Sequence, residues 1–226
     1  MSGRVFAVTG GFGILGSAVG RAALADGARV ALIDAAPAPA GLPEGVLALG
    51  GVDLTSTAQA EAALAKVVEA FGGLDVLVNV AGGFRWQTLQ DGDLDVWGKL
   101  YALNTATCAT TSKAALPHLL ASKAGRIVSV GANGAVKAVA GMGAYAASKA
   151  GVHRLTESLA EELKGRVTVN AVLPSIIDTP ANRADMPGVD PSTWVTADEV
   201  AQAILWLASE QASGVTGALL PVVGRV

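Results

Sequence analysis

The chain of 226 residues is 51% hydrophobic and 15% charged, enough apolar material for a large core in one domain or at most two. A net charge of -3 without any basic block speaks against a nucleic-acid-binding surface. A single cysteine, Cys108, and only two histidines, His118 and His153, exclude a disulfide framework and make a His-rich metal centre a poor expectation.

The first apolar run, residues 4–9, follows Met1-Ser2-Gly3-Arg4 and superficially resembles a secretory leader. The glycines that come next fit a strand–turn–helix better. No stretch reaches the roughly 18 uncharged apolar residues that a membrane span needs, so a soluble cytoplasmic protein is expected. Thr9-Gly10-Gly11-Phe12-Gly13-Ile14-Leu15-Gly16 then opens a helix predicted over 14–26. Its Gly11-x-Gly13-x-x-Gly16 spacing suits a tight turn and close backbone approach. The first helical turn, with Ile14 and Leu15, offers free amides and a positive dipole end to a pyrophosphate.

The second run, 29–34, ends at Asp34, placed to accept hydrogen bonds from adenosine ribose hydroxyls. The same carboxylate repels a 2′-phosphate, and the glycine turn has no Lys or Arg to welcome one. A Pro/Ala-rich loop over 35–43 leads to a third run, 46–52, and a helix over 56–71 with Thr55 as its expected N-cap. The fourth run, 74–80, is followed by Phe84, Arg85 and Trp86 on the side where open sheets bind ligands. One long helix is predicted over 93–122 and a fifth strand over 126–130.

The helix over 143–164 carries Tyr145 and Lys149 on one face. There the ammonium is expected to pull the phenol below its usual pKa of about 10, making it a usable proton donor. A strand over 167–173, a possible lid over 186–194, a helix over 197–209 capped by Thr196, and a last strand over 218–223 complete the chain. Near-continuous apolar strands alternating with helices imply an α/β fold, one doubly wound domain over residues 1–226 with a seven-stranded parallel sheet.

In this order along the chain the motifs resemble the short-chain dehydrogenase/reductase family. They are the glycine turn, Val52-Asp53-Leu54, Asn79-Val80-Ala81-Gly82, Asn104, Tyr145-x-x-x-Lys149 and Pro174-Ser175-Ile176-Ile177-Asp178-Thr179. The resemblance implies a Rossmann-type fold binding NAD(H), which Asp34 favours over NADP(H). It implies that Gly10, Gly11, Gly13 and Gly16 cradle the phosphates and that Asp53 and Leu54 touch the adenine. Asn79, Ala81 and Gly82 would border the cofactor and steady the central strand. Pro174 belongs to the same binding set, with Ile177 and Thr179 meeting the carboxamide and phosphates. Lys149 would hold the nicotinamide ribose and tune Tyr145, and Asn104 would position a water in a relay to Lys149. A homodimer or homotetramer through helices 93–122 and 143–164 is also implied.

One family position departs. The serine that would donate to the substrate oxygen falls on Ala132, and neither Ser129 nor Asn133 is a safe substitute, because one step along a strand reverses side-chain direction. This departure, with the run Val172-Leu173-Pro174-Ser175-Ile176-Ile177-Asp178-Thr179-Pro180-Ala181-Asn182-Arg183, narrows the similarity to the dihydropteridine reductases. The function implied is hydride transfer from NADH to a small conjugated acceptor, a quinonoid dihydropteridine above all, with Tyr145 as proton donor. The alternatives are a general ketone/alcohol dehydrogenase of the family and a non-catalytic NAD(H)-binding module.

Overall fold

A computed structural model describes residues 1–225. The strands are β1 (Val5–Thr9), β2 (Arg29–Ile33), β3 (Leu47–Leu49), β4 (Val76–Asn79), β5 (Gly125–Val130), β6 (Val167–Pro174) and β7 (Leu219–Val222). They form one parallel sheet in the order β3-β2-β1-β4-β5-β6-β7. The helices are α1 (Ile14–Ala25), α2 (Thr57–Phe71), α3 (Asp95–Leu100), α4 (Thr107–Ala121), α5 (Gly143–Glu162), α6 (Pro180–Asp185) and α7 (Ala197–Ala208). The doubly wound α/β architecture and its seven strands stand where the apolar runs place them.

Alternation along the strands builds two cores. Phe6, Val8, Val30, Leu32, Val76 and Val78 point to one face, where Val19 of α1 and Ile204 of α7 cover them. Val5, Ala7, Ile33 and Leu77 point to the other, against Leu64 of α2, Leu119 of α4 and Leu159 of α5. Every residue of β1, β4 and β5 is buried. Each fully buried side chain of this size contributes about 1.5–3 kcal/mol. The strand order reverses between β1 and β4, so a crevice opens beyond their carboxyl ends.

Two local expectations are corrected. The helix expected over 93–122 is interrupted by a π-helical turn, Tyr101–Ala106, between α3 and α4. The N-cap of α2 is Ser56, whose side chain accepts from the Gln59 amide, because the Thr55 amide and hydroxyl are already spent on Asp53 Oδ1 at 2.9 and 2.6 Å. The segment 186–194 is pinned at its end: Trp194 is fully buried, and Ile177 bridges Val195. Thr196 caps α7 as expected, in a capping box with Glu199. Among the described residues no helix is long and apolar enough to cross a membrane.

Candidate active site

The glycine turn is shaped by sterics. Gly10 adopts φ +62°, and a side chain on it would meet the Ala81 backbone at 2.9 Å. A Cβ on Gly16 would lie 2.1 Å from the Gly10 carbonyl oxygen, so only hydrogen lets α1 close on the turn. The turn is tied down by the Gly11 amide donating to the Ile33 carbonyl and the Gly13 amide to the Gly10 carbonyl. Gly13 caps α1 with no side-chain partner, leaving the first helical amides open to an anion. Thr9 braces the turn against β4, its hydroxyl oxygen accepting from both Val80 and Ala81 amides at 3.1 Å.

A cleft of about 480 Å³ runs from this turn. Gly10, Gly13, Ile14, Leu15, Gly16, Asp34, Asp53, Leu54, Ala81, Gly82 and Thr179 of the expected binding residues line it. Asp34 sits at one end, accepting from the Phe12 amide through Oδ2 and from the Ala36 amide through Oδ1, both at 3.0 Å. Asp53 is an Asx turn at the same end; bonds from the Thr55 hydroxyl and amide hold its carboxyl below the usual range. Leu103 and Thr107 also line the cleft. They were not anticipated, because only the π-helical break turns them inward and apolar periodicity carries no sign of it.

Lys149 and Asn104 stand at the other end. A side chain on Gly82 would come within 2.5 Å of Asn104 Oδ1 and 3.2 Å of Lys149 Nζ, so Gly82 joins the cleft to both. Asn104 lies in the π-helical turn and is fully engaged: Oδ1 accepts from the Gly83 amide, and Nδ2 donates to the Gly83 carbonyl and Ser148 Oγ. Lys149 Nζ donates to the Val130 carbonyl at 2.7 Å, and burial brings its pKa down to about 8. The Tyr145 ring packs edge-on against Phe84 with centroids 4.9 Å apart. Burial pushes its phenol up to about 12, the reverse of the expected depression. Loss of water around the ring is the cause, and the Lys149 ammonium bonds the Val130 carbonyl.

Several expected residues take other places. Asn79 is buried away from the cleft: its amide donates to Ser112 and Ser129, and its carbonyl oxygen accepts from Thr111. These bonds steady β4, and Asn79 is not among the cleft-lining residues. Gly11, Pro174 and Ile177 are not among the cleft-lining residues. A Cβ on Gly11 would strike Leu32 at 2.7 Å, so that glycine serves helix–strand packing. Ser129 is turned into the Asn79 and Cys108 network, which removes it as a stand-in for the missing hydroxyl. Ala132 is buried, and its amide donates to His153 Nε2 at 3.3 Å. Asn133 is exposed at the start of a 3-10 turn.

Comparison with known proteins gives the family and the fold. The family model described as short chain dehydrogenase matches residues 4–189. The 2-(S)-hydroxypropyl-CoM dehydrogenase 3 of Xanthobacter autotrophicus is 33% identical over 99% of this chain and 96% of its own. A 3-oxoacyl-acyl-carrier-protein reductase, FabG of Vibrio cholerae, is 32% identical over 99% of this chain and 97% of its own. Carveol dehydrogenase of Mycobacterium avium, solved in complex with NAD, superposes with a TM-score of 0.87 at 27% identity, covering 100% of this chain and 98% of that one.

Proposed function

Since the chain belongs to the short-chain dehydrogenase family, we propose that it is an NAD(H)-dependent oxidoreductase interconverting a small secondary alcohol and its ketone. The observation that carries the reading is Gly82, which lines the cleft and on which a Cβ would run into both Asn104 Oδ1 and Lys149 Nζ, so the cleft ends beside these two side chains. The chain fits a pyridine nucleotide: Gly13 caps α1 without a side-chain partner, so the first helical amides stay open beside the cleft that Gly13, Ile14 and Leu15 line. When bound, that cofactor supplies or accepts the hydride. Asp34 offers its carboxylate to a ribose and disfavours a 2′-phosphate, hence NADH over NADPH. Titration of the protein with each nucleotide tests this, and tighter NADPH binding would overturn it.

Tyr145 holds its proton at Oη throughout the neutral range, as a donor to a ketone oxygen must. Lys149 keeps its charge near neutrality and brings a positive potential to the wall where the substrate oxygen gains charge. Asn104 fixes the Gly83 backbone and so the floor between cleft and Tyr145.

A second reading, reduction of a quinonoid dihydropteridine, is favoured by Ala132, since a conjugated acceptor spreads charge and depends less on the absent hydroxyl donor. The relatives named above include no dihydropteridine reductase, so the ketone/alcohol reading takes precedence. The exposed Leu94, Trp97 and Tyr101 supply an apolar face for pairing with a second copy. The test is NADH oxidation against simple ketones, a 3-oxoacyl thioester and quinonoid dihydropterin. Ketone turnover that Tyr145→Phe removes supports the proposal. Turnover with dihydropterin alone would reverse the two readings, and none with any acceptor would overturn both.

A further inference from the structure

Tyr145, Lys149 and His153 follow at helical spacing, so all three lie along one stripe of α5. Two of them grip the outgoing end of β5. Lys149 Nζ donates to the Val130 carbonyl at 2.7 Å, and His153 Nε2 accepts from the Ala132 amide at 3.3 Å. Gly131 between them accommodates the imidazole, since a Cβ there would lie 2.5 Å from Nε2. The ladder to β6 has ended by this point, its last register pair being Val130 with Val172. The Ala132 amide therefore lies past the sheet's own acceptors, and His153 is 3% exposed, so no water replaces it freely.

We propose that His153 is a positioning residue for the reaction: as the hydrogen-bond acceptor for Ala132 it locks the end of β5 onto the stripe that carries Tyr145 and Lys149. This rests on the oxidoreductase reading above. The end of β5 is the wall against which a substrate beside Tyr145 must sit, and Gly131 and Ala132 carry it on to the 3-10 turn that begins at Asn133. With no hydroxyl at Ala132 to hold a substrate oxygen, placement of this backbone replaces a side chain as the source of precision. The acceptor role requires a neutral ring with its proton on Nδ1. Burial, with a smaller contribution from the charges of Arg154 and Lys149 on the same helix, holds the imidazole down at about 4 and keeps it so.

The test compares His153→Gln, His153→Leu and His153→Asn in the full chain, by NADH titration and by steady-state reduction of 9,10-phenanthrenequinone and of acetoacetyl thioester. Gln presents an acceptor near Nε2, Asn falls one methylene short, and Leu has none. The expected result is an approximately 10–100-fold loss of kcat in Leu and Asn, with NADH affinity unchanged and kcat largely restored in Gln. A shorter polar residue keeps the site hydrated and folded, so Asn decides the matter if Leu is insoluble. Full kcat in folded Asn or Leu, or Gln as slow as Asn, would overturn the assignment. Wild-type protein that binds NADH yet reduces neither probe nor any ketone would instead sink the reading on which it rests.

Discussion

Lys149 is where function and stability pull apart. Its ammonium is 5% exposed and has one neutral partner, the Val130 carbonyl. Burying such a charge costs several kcal/mol even after relaxation, whereas a single hydrogen bond to a charged group returns about 1.5–3 kcal/mol. Lys149→Met should therefore raise the thermal midpoint while abolishing turnover. The sign with pH follows from a pKa lowered from 10.5 to about 8. The penalty is complete below pH 8 and is relieved as pH rises toward 10.5, so wild-type stability should climb across that window and the variant's should not. Chemical denaturation at several alkaline pH values checks both. A Lys149→Met protein less stable than wild type at neutral pH would refute the account.

Tyr145 carries a second expectation at this scale. Phe84 covers its ring edge-on, and desolvation is what lifts the phenol to about 12. Phe84→Ala should bring the phenolate midpoint down, read by absorbance in a Tyr101→Phe background, since the chain has only 2 tyrosines. An unchanged midpoint would show that Phe84 does not shield the ring. That Tyr145 and Lys149 share one helix face was legible from their spacing, whereas Asn104 was reached only through the family resemblance. The direction of the Tyr145 shift was not legible, because it depends on Phe84, from a distant loop, folding over the ring. His153 was equally invisible: nothing in sequence separates a core histidine from one that holds a strand end.

Among the elements, the turn from β1 to α1 is the most sharply specified. A helical Gly→Ala change ordinarily gains about 1 kcal/mol. At Gly16 the new methyl would meet the Gly10 carbonyl oxygen at 2.1 Å, so the change should instead cost about 1–3 kcal/mol and abolish NADH binding. Differential scanning calorimetry with and without NADH measures both effects, and a Gly16→Ala protein still stabilised by NADH would contradict it. The seven strands were readable because each is short, apolar and flanked by turn residues. The helix spanning α3 to α4 was misjudged because periodicity survives a π-helical turn, while Asn104 bonding Gly83 and Ser148, which accompanies it, is a tertiary event. Thr55 was the expected cap of α2, and the competition of Asp53 for its hydroxyl, a contact not written in the local pattern, leaves the role to Ser56.

For the whole molecule, the cleft is assembled from distant parts of the chain. Gly10–Gly16 and Asp34 come from the first strands, whereas Ala81, Gly82, Leu103 and Thr179 come from beyond β4. A cofactor seated there contacts both groups and binds only the folded state. At 100-fold excess over its Kd, NADH should add about 2.7 kcal/mol to unfolding free energy, shifting one cooperative transition rather than a local one. Two separate transitions, with only the earlier responding to NADH, would refute that coupling.

The pairing of β1 with both β2 and β4 has a consequence for how such an enzyme can be built. During synthesis β1 emerges long before β4, and the hydroxyl of Thr9 must wait for the Val80 and Ala81 amides that it will receive. A fragment ending after β3 would keep the full glycine signature and still present only half a seat. The nucleotide-binding and catalytic parts are therefore not interchangeable modules: grafting the signature elsewhere transfers its letters without the opposing strand that gives them shape.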